Sequence, residues 1–297
     1  MNSTKDSRLL TFIGLHVAVF LAGATGLFGR LLTLSGVPLV WARMVVSTSL
    51  LLLILLFFGK LTFPQKGGIL PALLTGFLLA FHWVAFFMGV QYANVSVGVV
   101  CIATSGFFTS IFDPILNHHR MRKTDFFVSL LSILGILMIF TLDLRYRTGI
   151  ILGLSSAALY SVFAICNVKV ARRWAFDTPR LLLLEMAGGL LILTLILPLW
   201  GLQGGVDRLF PTSGEWLWIL VLGSVLTIIP FLLQIHALSK LSAFTVNVTY
   251  NLEPIYSILL AAVFFGEMRE VNLSFFLGLF LVILSVLLQT IRSRKSE

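Results

Sequence analysis

Charged residues are scarce in this chain. Only 11% of its 297 residues are Asp, Glu, Lys or Arg, while 58% are hydrophobic and the mean hydropathy is +1.02. A soluble domain carries about 25% charged residues, so the composition excludes an ordinary soluble protein. The net charge of +9 does not indicate a nucleic-acid surface, because the basic residues lie in short clusters between apolar runs. The sequence therefore predicts an integral membrane protein with no nucleic-acid partner.

Cysteine is almost absent, and the sequence motifs of common catalytic sites are missing. Cys101 and Cys166 lie in apolar stretches, which favours two buried free thiols over a disulfide or a metal site. There is no HExxH or Walker motif and no ATP-binding domain. The segment GLSS at 153–156 faintly resembles a rhomboid serine site, but no histidine fits the dyad. We therefore expect no metal and no cofactor, and a membrane-embedded enzyme is the least favoured alternative.

Apolar runs of membrane-spanning length fill most of the chain. A spanning helix needs about 20 mostly apolar residues, and ten such windows occur between charged or Pro and Gly breaks. The predicted spans are 10–29, 37–58, 68–90, 94–116, 124–142, 148–168, 178–200, 216–237, 243–265 and 272–291. The loops between them are too short to hide a soluble domain. The first span is expected to be retained, although the Ala22-Gly23-Ala24 segment resembles a signal-peptidase site.

The basic residues between the spans predict the orientation. One set of alternate flanks carries 14 Lys and Arg residues, including Lys5 and Arg8, and the opposite set carries five, including Arg30 and Arg208. Lys and Arg favour cytoplasmic loops. Both termini are therefore predicted to be cytoplasmic.

The two halves of the chain share a hydropathy pattern. A shift of 141 residues aligns Pro38 with Pro179, each at the start of the second span of its half. Ten spans divide into five and five, and an odd number per half turns the second copy upside down. Inverted repeats are typical of secondary transporters, with a site near the midplane between the halves. We predict an all-α membrane protein of ten helices, in which inverted five-helix repeats (1–147 and 148–297) surround a central cavity.

Three segments resemble a known family. They are RMVVSTSLLLL (43–53), FHWVAFFMGVQYANVSVGVV (81–100) and NLEPIYSILLAAVFFGE (251–267). Together with the ten-span layout, they resemble the EamA-type branch of the drug/metabolite transporter superfamily over almost the full length. The resemblance implies a metabolite carrier of the bacterial inner membrane, commonly an exporter of amino acids or related molecules, with a cavity lined by spans 1, 3, 4, 6, 8 and 9. The first half departs from the second, since HHRMRK stands where the second half has Gly266-Glu267.

Four of the ionisable groups inside predicted spans matter most, because a charge near a helix centre costs about 2.5 to 3.5 kcal/mol. Glu253 either binds a substrate ammonium or carries a proton, or else accepts a fixed hydrogen bond that joins span 9 to a neighbour. His82 either contacts a substrate carboxylate or relays a proton, or else is a satisfied core residue. Arg43 and Glu185 lie on helices that the resemblance places in the scaffold. We expect them to form internal ion pairs or to snorkel.

Span 9 is polar around too much of its circumference to face lipid. As a continuous helix, it places Asn247, Tyr250 and Pro254 on one face, and Glu253 and Tyr256 on another. Pro254 has no N–H, so it is expected to kink the helix and free the carbonyl of Tyr250 beside the carboxylate. Span 9 is therefore predicted to line a cavity or to pack wholly against protein.

These polar residues and the aromatic residues at matching depth form the predicted substrate site. The full set is Phe20, His82, Phe86, Tyr160, Phe163, Asn247, Tyr250 and Glu253, with Glu253 and His82 as candidates for proton coupling. Aromatic walls with a few polar anchors suit a small zwitterionic metabolite. We predict a secondary transporter of small metabolites such as amino acids, an exporter working by alternating access, whose partners are its substrate and membrane lipid. The alternative is a receptor or assembly subunit that transports nothing.

Overall fold

The protein is helical throughout the part of the chain that the computed structural model describes. That part comprises residues 2–61, 66–118, 120, 123–142, 144–202, 208–241, 246, 249–250, 252–269 and 273–293. In chain order the α-helices are α1 (Asn2–Ala24), α2 (Phe28–Leu31), α3 (Gly36–Phe57), α4 (Ile69–Tyr92), α5 (Val95–Ile102), α6 (Ser105–Asn117), α7 (Lys123–Leu142), α8 (Arg147–Trp174), α9 (Thr178–Leu202), α10 (Ser213–Gly223), α11 (Ile228–Lys240), α12 (Glu253–Phe265) and α13 (Leu273–Ser293). Within these ranges there is no strand, as the all-α prediction requires.

Seven helical stretches among the described residues are long and apolar enough to cross a membrane. They are Leu9–Leu31, Gly36–Phe57, Ile69–Tyr92, Val95–Asn117, Arg147–Trp174, Thr178–Leu202 and Ser213–Gln234. Two shorter apolar helices, Glu253–Phe265 and Leu273–Ser285, fall in the ninth and tenth predicted spans. The 20-residue helix α7 occupies the fifth. The chain is thus a helical membrane protein, and the count of ten spans stays a prediction.

Two of the predicted spans are interrupted. Span 4 divides into α5 and α6 at Ala103 and Thr104, and span 8 divides into α10 and α11 over residues 224–227. A broken helix leaves carbonyls without intrahelical donors, and in a membrane other groups must satisfy them. Hydroxyl groups do so here: Thr104 donates to the carbonyl of Cys101 at 2.6 Å, and Ser47 of α3 donates to the carbonyl of Gly223 at 2.8 Å.

The ninth span is not the continuous kinked helix that the sequence predicted. A new helix, α12, begins at Glu253, so Pro254 lies in its first turn. A proline costs nothing there, because the first N–H groups of a helix have no intrahelical acceptor. The predicted kink at Pro254 inside a continuous helix is therefore wrong. Glu253 and Tyr256 lie three positions apart on α12, while Asn247 of the other predicted face lies outside the described residues.

The first helix of each half packs against the other half. Helix α1 contacts α11 and α12, whereas α8 contacts α4, α5 and α6. The Ser257 hydroxyl of α12 donates to the carbonyl of Gly23 on α1. A Cβ at Gly23 would lie 3.0 Å from the carbonyl oxygen of Glu253. The backbones of α1 and α12 therefore meet directly at the level of Glu253.

Glycines bring α4 and α9 into similarly close contact. A Cβ added at Gly76 would lie 2.0 Å from the carbonyl oxygen of Glu185, and one added at Gly188 would lie 2.1 Å from that of Leu73. No side chain fits at such distances, so the two backbones touch. Small residues allow this approach between membrane helices, where packing has to replace the hydrophobic effect.

Replacing Gly188 with valine is expected to disrupt this contact, because the obstacle is backbone that cannot rotate aside. Overpacking of a core typically costs about 1 to 3 kcal/mol, and a clash with main chain lies at the upper end. The measurement is the yield of monodisperse protein after extraction in mild detergent. Gly214→Val is the matched control, since a Cβ at Gly214 meets nothing within 4 Å. Equal yields from the two variants would contradict the prediction.

Two carboxylates fasten the end of the helical bundle that holds Arg30 and Arg208, here called the outer end. Glu267 is buried and accepts hydrogen bonds from the backbone N–H groups of Val95 (3.0 Å) and Ser96 (2.9 Å), from the Ser96 hydroxyl (2.7 Å) and from Arg30 (2.9 Å). A carboxylate suits the start of α5, because the helix dipole is positive there. Glu267 thus joins α5, the Arg30 segment and the loop after α12.

Glu215 makes a second junction at the outer end. One of its oxygens accepts hydrogen bonds from Arg208 (2.7 Å), Thr33 (3.0 Å) and the backbone N–H of Leu34 (3.3 Å). The other accepts from the backbone and side chain of Thr212, which completes a capping box at the start of α10. Glu215 therefore ties the segment after α2 to the segment before α10.

Candidate functional site

Four of the other predicted site residues lie near Tyr160 of α8. The ring centroid of Tyr160 lies 5.1 Å from that of His82 on α4 and 6.2 Å from that of Phe163. Tyr160 is also within electrostatic reach of Glu253 and Tyr250. We call His82, Tyr160, Phe163, Tyr250 and Glu253 the Tyr160 cluster. It draws on both halves of the sequence and on three separate helical regions.

His82 is oriented by a reciprocal contact with Ser156 of α8. The Ser156 hydroxyl donates to the carbonyl of His82 at 2.9 Å, and Nδ1 of His82 lies 3.0 Å from the carbonyl of Ser156. The Ser156 hydroxyl also lies 2.8 Å from Nδ1, so Nδ1 donates to Ser156 in one tautomer of the ring and accepts from the hydroxyl in the other. In both tautomers Nδ1 has a partner, and Ser156 holds His82 against α8.

The carboxyl group of Glu253 has no partner in the part of the chain that the structure describes. Among the described groups, none donates a hydrogen bond to it and no cation pairs with it, although the side chain is partly buried. Its position in the first turn of α12 is favourable for a negative charge. The hypothesis of a fixed hydrogen-bond acceptor finds no donor in this part of the chain. A carboxylate left free beside aromatic rings can bind a cationic group or exchange a proton.

Three predicted site residues are not part of the Tyr160 cluster. Phe20 is 42% exposed and makes an edge contact with Tyr256 of α12, with ring centroids 5.8 Å apart. Phe86 packs against the main hydrophobic core, with its ring centroid 5.4 Å from that of Phe87. Asn247 lies outside the described residues. Phe20 borders the site through Tyr256, whereas Phe86 has the surroundings of a core residue.

Within the described ranges, neither Arg43 nor Glu185 forms the expected ion pair. Both side chains are buried, which also excludes snorkelling. Glu185 accepts hydrogen bonds from Asn167 (2.7 Å) and Thr75 (3.1 Å). Arg43 donates through Nε to Thr227 (3.0 Å) and places its guanidinium carbon 3.7 Å from the ring centroid of Trp83. Neutral polar groups thus satisfy Glu185, whereas Arg43 contacts Thr227 and the Trp83 ring and keeps Nη1 without a hydrogen-bond partner.

Comparison with known proteins decides the family. The model of the EamA-like transporter family matches residues 9–141 and again residues 147–291, nearly the whole chain in two repeats. The chain belongs to the EamA-like transporter family. That family is part of the drug/metabolite transporter superfamily, so the resemblance drawn from the sequence is confirmed.

Other comparisons add the fold alone. One solved structure, described only as the crystal structure of a protein, aligns with a TM-score of 0.63 at 15% identity, over 97% of this chain and 98% of that one. No curated protein sequence matches the chain. The structural match supports the helical architecture of an EamA-like transporter without indicating a substrate.

In this EamA-like transporter the site adjoins the helix break of span 9. Glu253 is the first residue of α12, and Tyr250 precedes the turn at Leu252. Discontinuous helices in secondary transporters expose backbone groups and helix ends near the substrate. Among the described residues, no three His, Cys, Asp or Glu side chains come together in a way that could hold a metal ion.

Two side chains that border the Tyr160 cluster were not among the residues predicted from the sequence. Tyr256 lies one turn after Glu253, contacts Phe20, and has its hydroxyl 3.3 Å from Nδ1 of His16 on α1. The spacing of three from Glu253 was visible in the sequence and could have added Tyr256 to the site. Nothing in the sequence indicated His16, because its neighbour on α12 is 240 positions away.

Proposed function

We propose that this EamA-like protein is a secondary transporter, an exporter of small metabolites such as amino acids, with the Tyr160 cluster as its substrate site. The observation that carries the proposal is the Glu253 carboxyl group, which has no partner among the described groups and lies within electrostatic reach of Tyr160 and Tyr250. A substrate ammonium would meet a negative charge and aromatic faces together, which is a favourable environment for a cation. Phe163 and Phe20 would contact the apolar part of the molecule.

The proposed transport cycle is alternating access. The two five-helix halves, 1–147 and 148–297, would form inverted repeats that open the site to one side of the membrane at a time. The junctions at Glu215 and Glu267 support closure of the outer end in the present conformation, because they join segments that surround it. We also propose a bacterial inner membrane location. Both termini would lie in the cytoplasm, because the predicted loops on the side of the termini are rich in Lys and Arg, and these residues favour cytoplasmic loops.

Flux through the purified protein in liposomes tests the transport function. Radiolabelled amino acids are supplied singly, with and without an imposed proton gradient, and empty liposomes set the background. We expect saturable flux of at least one amino acid. A dependence on the proton gradient would support a proton-coupled exporter, whereas flux that ignores it would remove proton coupling. If the protein binds one of the amino acids but shows no saturable flux of any of them, a receptor or assembly subunit would be favoured.

A further inference from the structure

Arg43 is a buried cation that no carboxylate among the described residues pairs with. The residue is 3% exposed and lies in α3, a helix of membrane-spanning length. Its Nη1 is buried and has no hydrogen-bond partner. Glu185 is engaged by Thr75 and Asn167, and Glu253 lies with the Tyr160 cluster. A buried charge is costly unless it is paired, so the arrangement leaves a place for a negative group.

A helix start at the same location adds a second positive feature. Nε of Arg43 donates to Thr227, which is the residue directly before the 13-residue helix α11. The N-terminal end of a helix carries a partial positive charge and favours anions. The Thr227 hydroxyl in turn donates to the carbonyl of Leu222 at 2.6 Å, which fixes the position of the guanidinium at the break in span 8. The N–H groups of Ile228 and Ile229 donate to the carbonyl of Ser224, and Pro230 has no N–H. The helix start therefore contributes its dipole, and the unpartnered Nη1 of Arg43 is the donor that an anion would meet.

We propose that Arg43 and the start of α11 form a binding site for a monovalent anion. Its occupant is either the carboxylate of the transported molecule or a free chloride ion. Arg43 is within electrostatic reach of His82, which contacts Tyr160. The carboxylate alternative rests on the proposed transport function, whereas the anion site itself does not. Because Nη1 is closed off in this conformation, the anion enters when the surrounding helices move apart.

Binding is measured as a rise in the unfolding temperature of the detergent-purified full chain. Sodium acetate, sodium chloride and neutral acetamide are titrated over about 1 to 30 mM, where general salt effects on stability are small. The bulky sulfonate buffer MES keeps the ionic strength constant. A ligand that binds only the folded protein raises its stability with concentration. We expect acetate to raise the unfolding temperature by several degrees and acetamide to have no effect.

The two anions separate the two occupants. A rise with acetate but not with chloride assigns the site to a carboxylate, and equal rises assign it to a free anion. Either result supports the anion site if Arg43→Gln abolishes the rise. Arg172→Gln, at an exposed arginine of α8, should keep it. The proposal is overturned if wild-type protein responds to neither anion, or if Arg43→Gln responds like wild type.

A second variant covers the case in which Arg43→Gln does not fold. Arg43→Lys keeps the charge but loses the planar set of donors. The acetate concentration for half of the maximal rise is then expected to increase at least threefold, and an unchanged concentration would overturn the proposal. Because no flux is measured, an anion response without transport would count against the proposed function alone. Transport without an anion response would count against this site alone.

Discussion

Glu253→Gln is expected to abolish transport while the protein still folds. Glutamine keeps the size and shape of the side chain, but it has no negative charge for a substrate ammonium and no proton to release. Because no described group depends on the Glu253 carboxylate as a partner, its loss leaves the helix packing unchanged. The flux should fall at least about tenfold, which corresponds to ~1.4 kcal/mol of lost interaction. The measurement is initial flux in liposomes, normalised to the amount of folded protein.

The control for Glu253→Gln is a variant in which an exposed carboxylate is replaced by its amide. Asp177, whose side chain is 49% exposed, pairs with Arg180 outside the Tyr160 cluster, so Asp177→Asn should transport normally. Wild-type flux from a well-folded Glu253→Gln variant would contradict the assigned role. Loss of folded protein in that variant would instead favour a structural role for the carboxylate.

Glu267→Ala should cause the largest loss of stability in the chain. The substitution removes the acceptor for two backbone N–H groups, the Ser96 hydroxyl and Arg30, while Glu267 itself is only 1% exposed. Removing one side of a buried charged contact costs about 3 to 5 kcal/mol, because the remaining groups stay buried without partners. A loss of that size should lower the unfolding temperature by roughly 5 to 10 °C.

Two further variants, Met268→Ala and Arg30→Gln, are controls for the Glu267→Ala result. Met268→Ala, one position along and at a residue 48% exposed, should change the unfolding temperature little. Arg30→Gln should have an intermediate effect, because the Arg30 side chain is 36% exposed and water can replace its contact. If Glu267→Ala unfolds at the temperature of Met268→Ala, the junction at Glu267 contributes nothing to stability.

The membrane class and the family could be predicted from the sequence because they depend on composition and local order. Hydropathy windows found the long helices, since a run such as that of Gly36–Phe57 is apolar on average even though it contains Arg43. The same windows missed the break over residues 224–227, because Ser224-Val-Leu-Thr227 is hardly more polar than its surroundings. A window average does not detect where hydroxyl groups can replace helical hydrogen bonds.

The partners of buried polar residues could not be predicted, because they depend on how distant helices pack. Arg43 and Glu185 were each expected to form an internal ion pair or to snorkel, but the structure gives Arg43 the face of Trp83 and gives Glu185 the amide of Asn167. Glu267 lies in the loop between the ninth and tenth predicted spans. The two backbone N–H groups of α5 that donate to its carboxylate lie 172 and 171 positions earlier in the chain. In contrast, the depth and type of His82, Tyr160 and Glu253 were enough to select residues that the fold brings together.

The contact between α1 and α12 has a consequence for how the protein is made. The Ser257 hydroxyl and its acceptor on Gly23 are separated by 234 positions. At a synthesis rate of about 5 to 20 residues per second, α1 leaves the ribosome roughly 10 to 50 seconds before its partner exists. During that interval the surface of Leu15 and Val19, which is buried in the finished protein, needs lipid or an insertion chaperone as a temporary neighbour. Assembly of the bundle therefore ends late, with the newest helices closing onto the oldest.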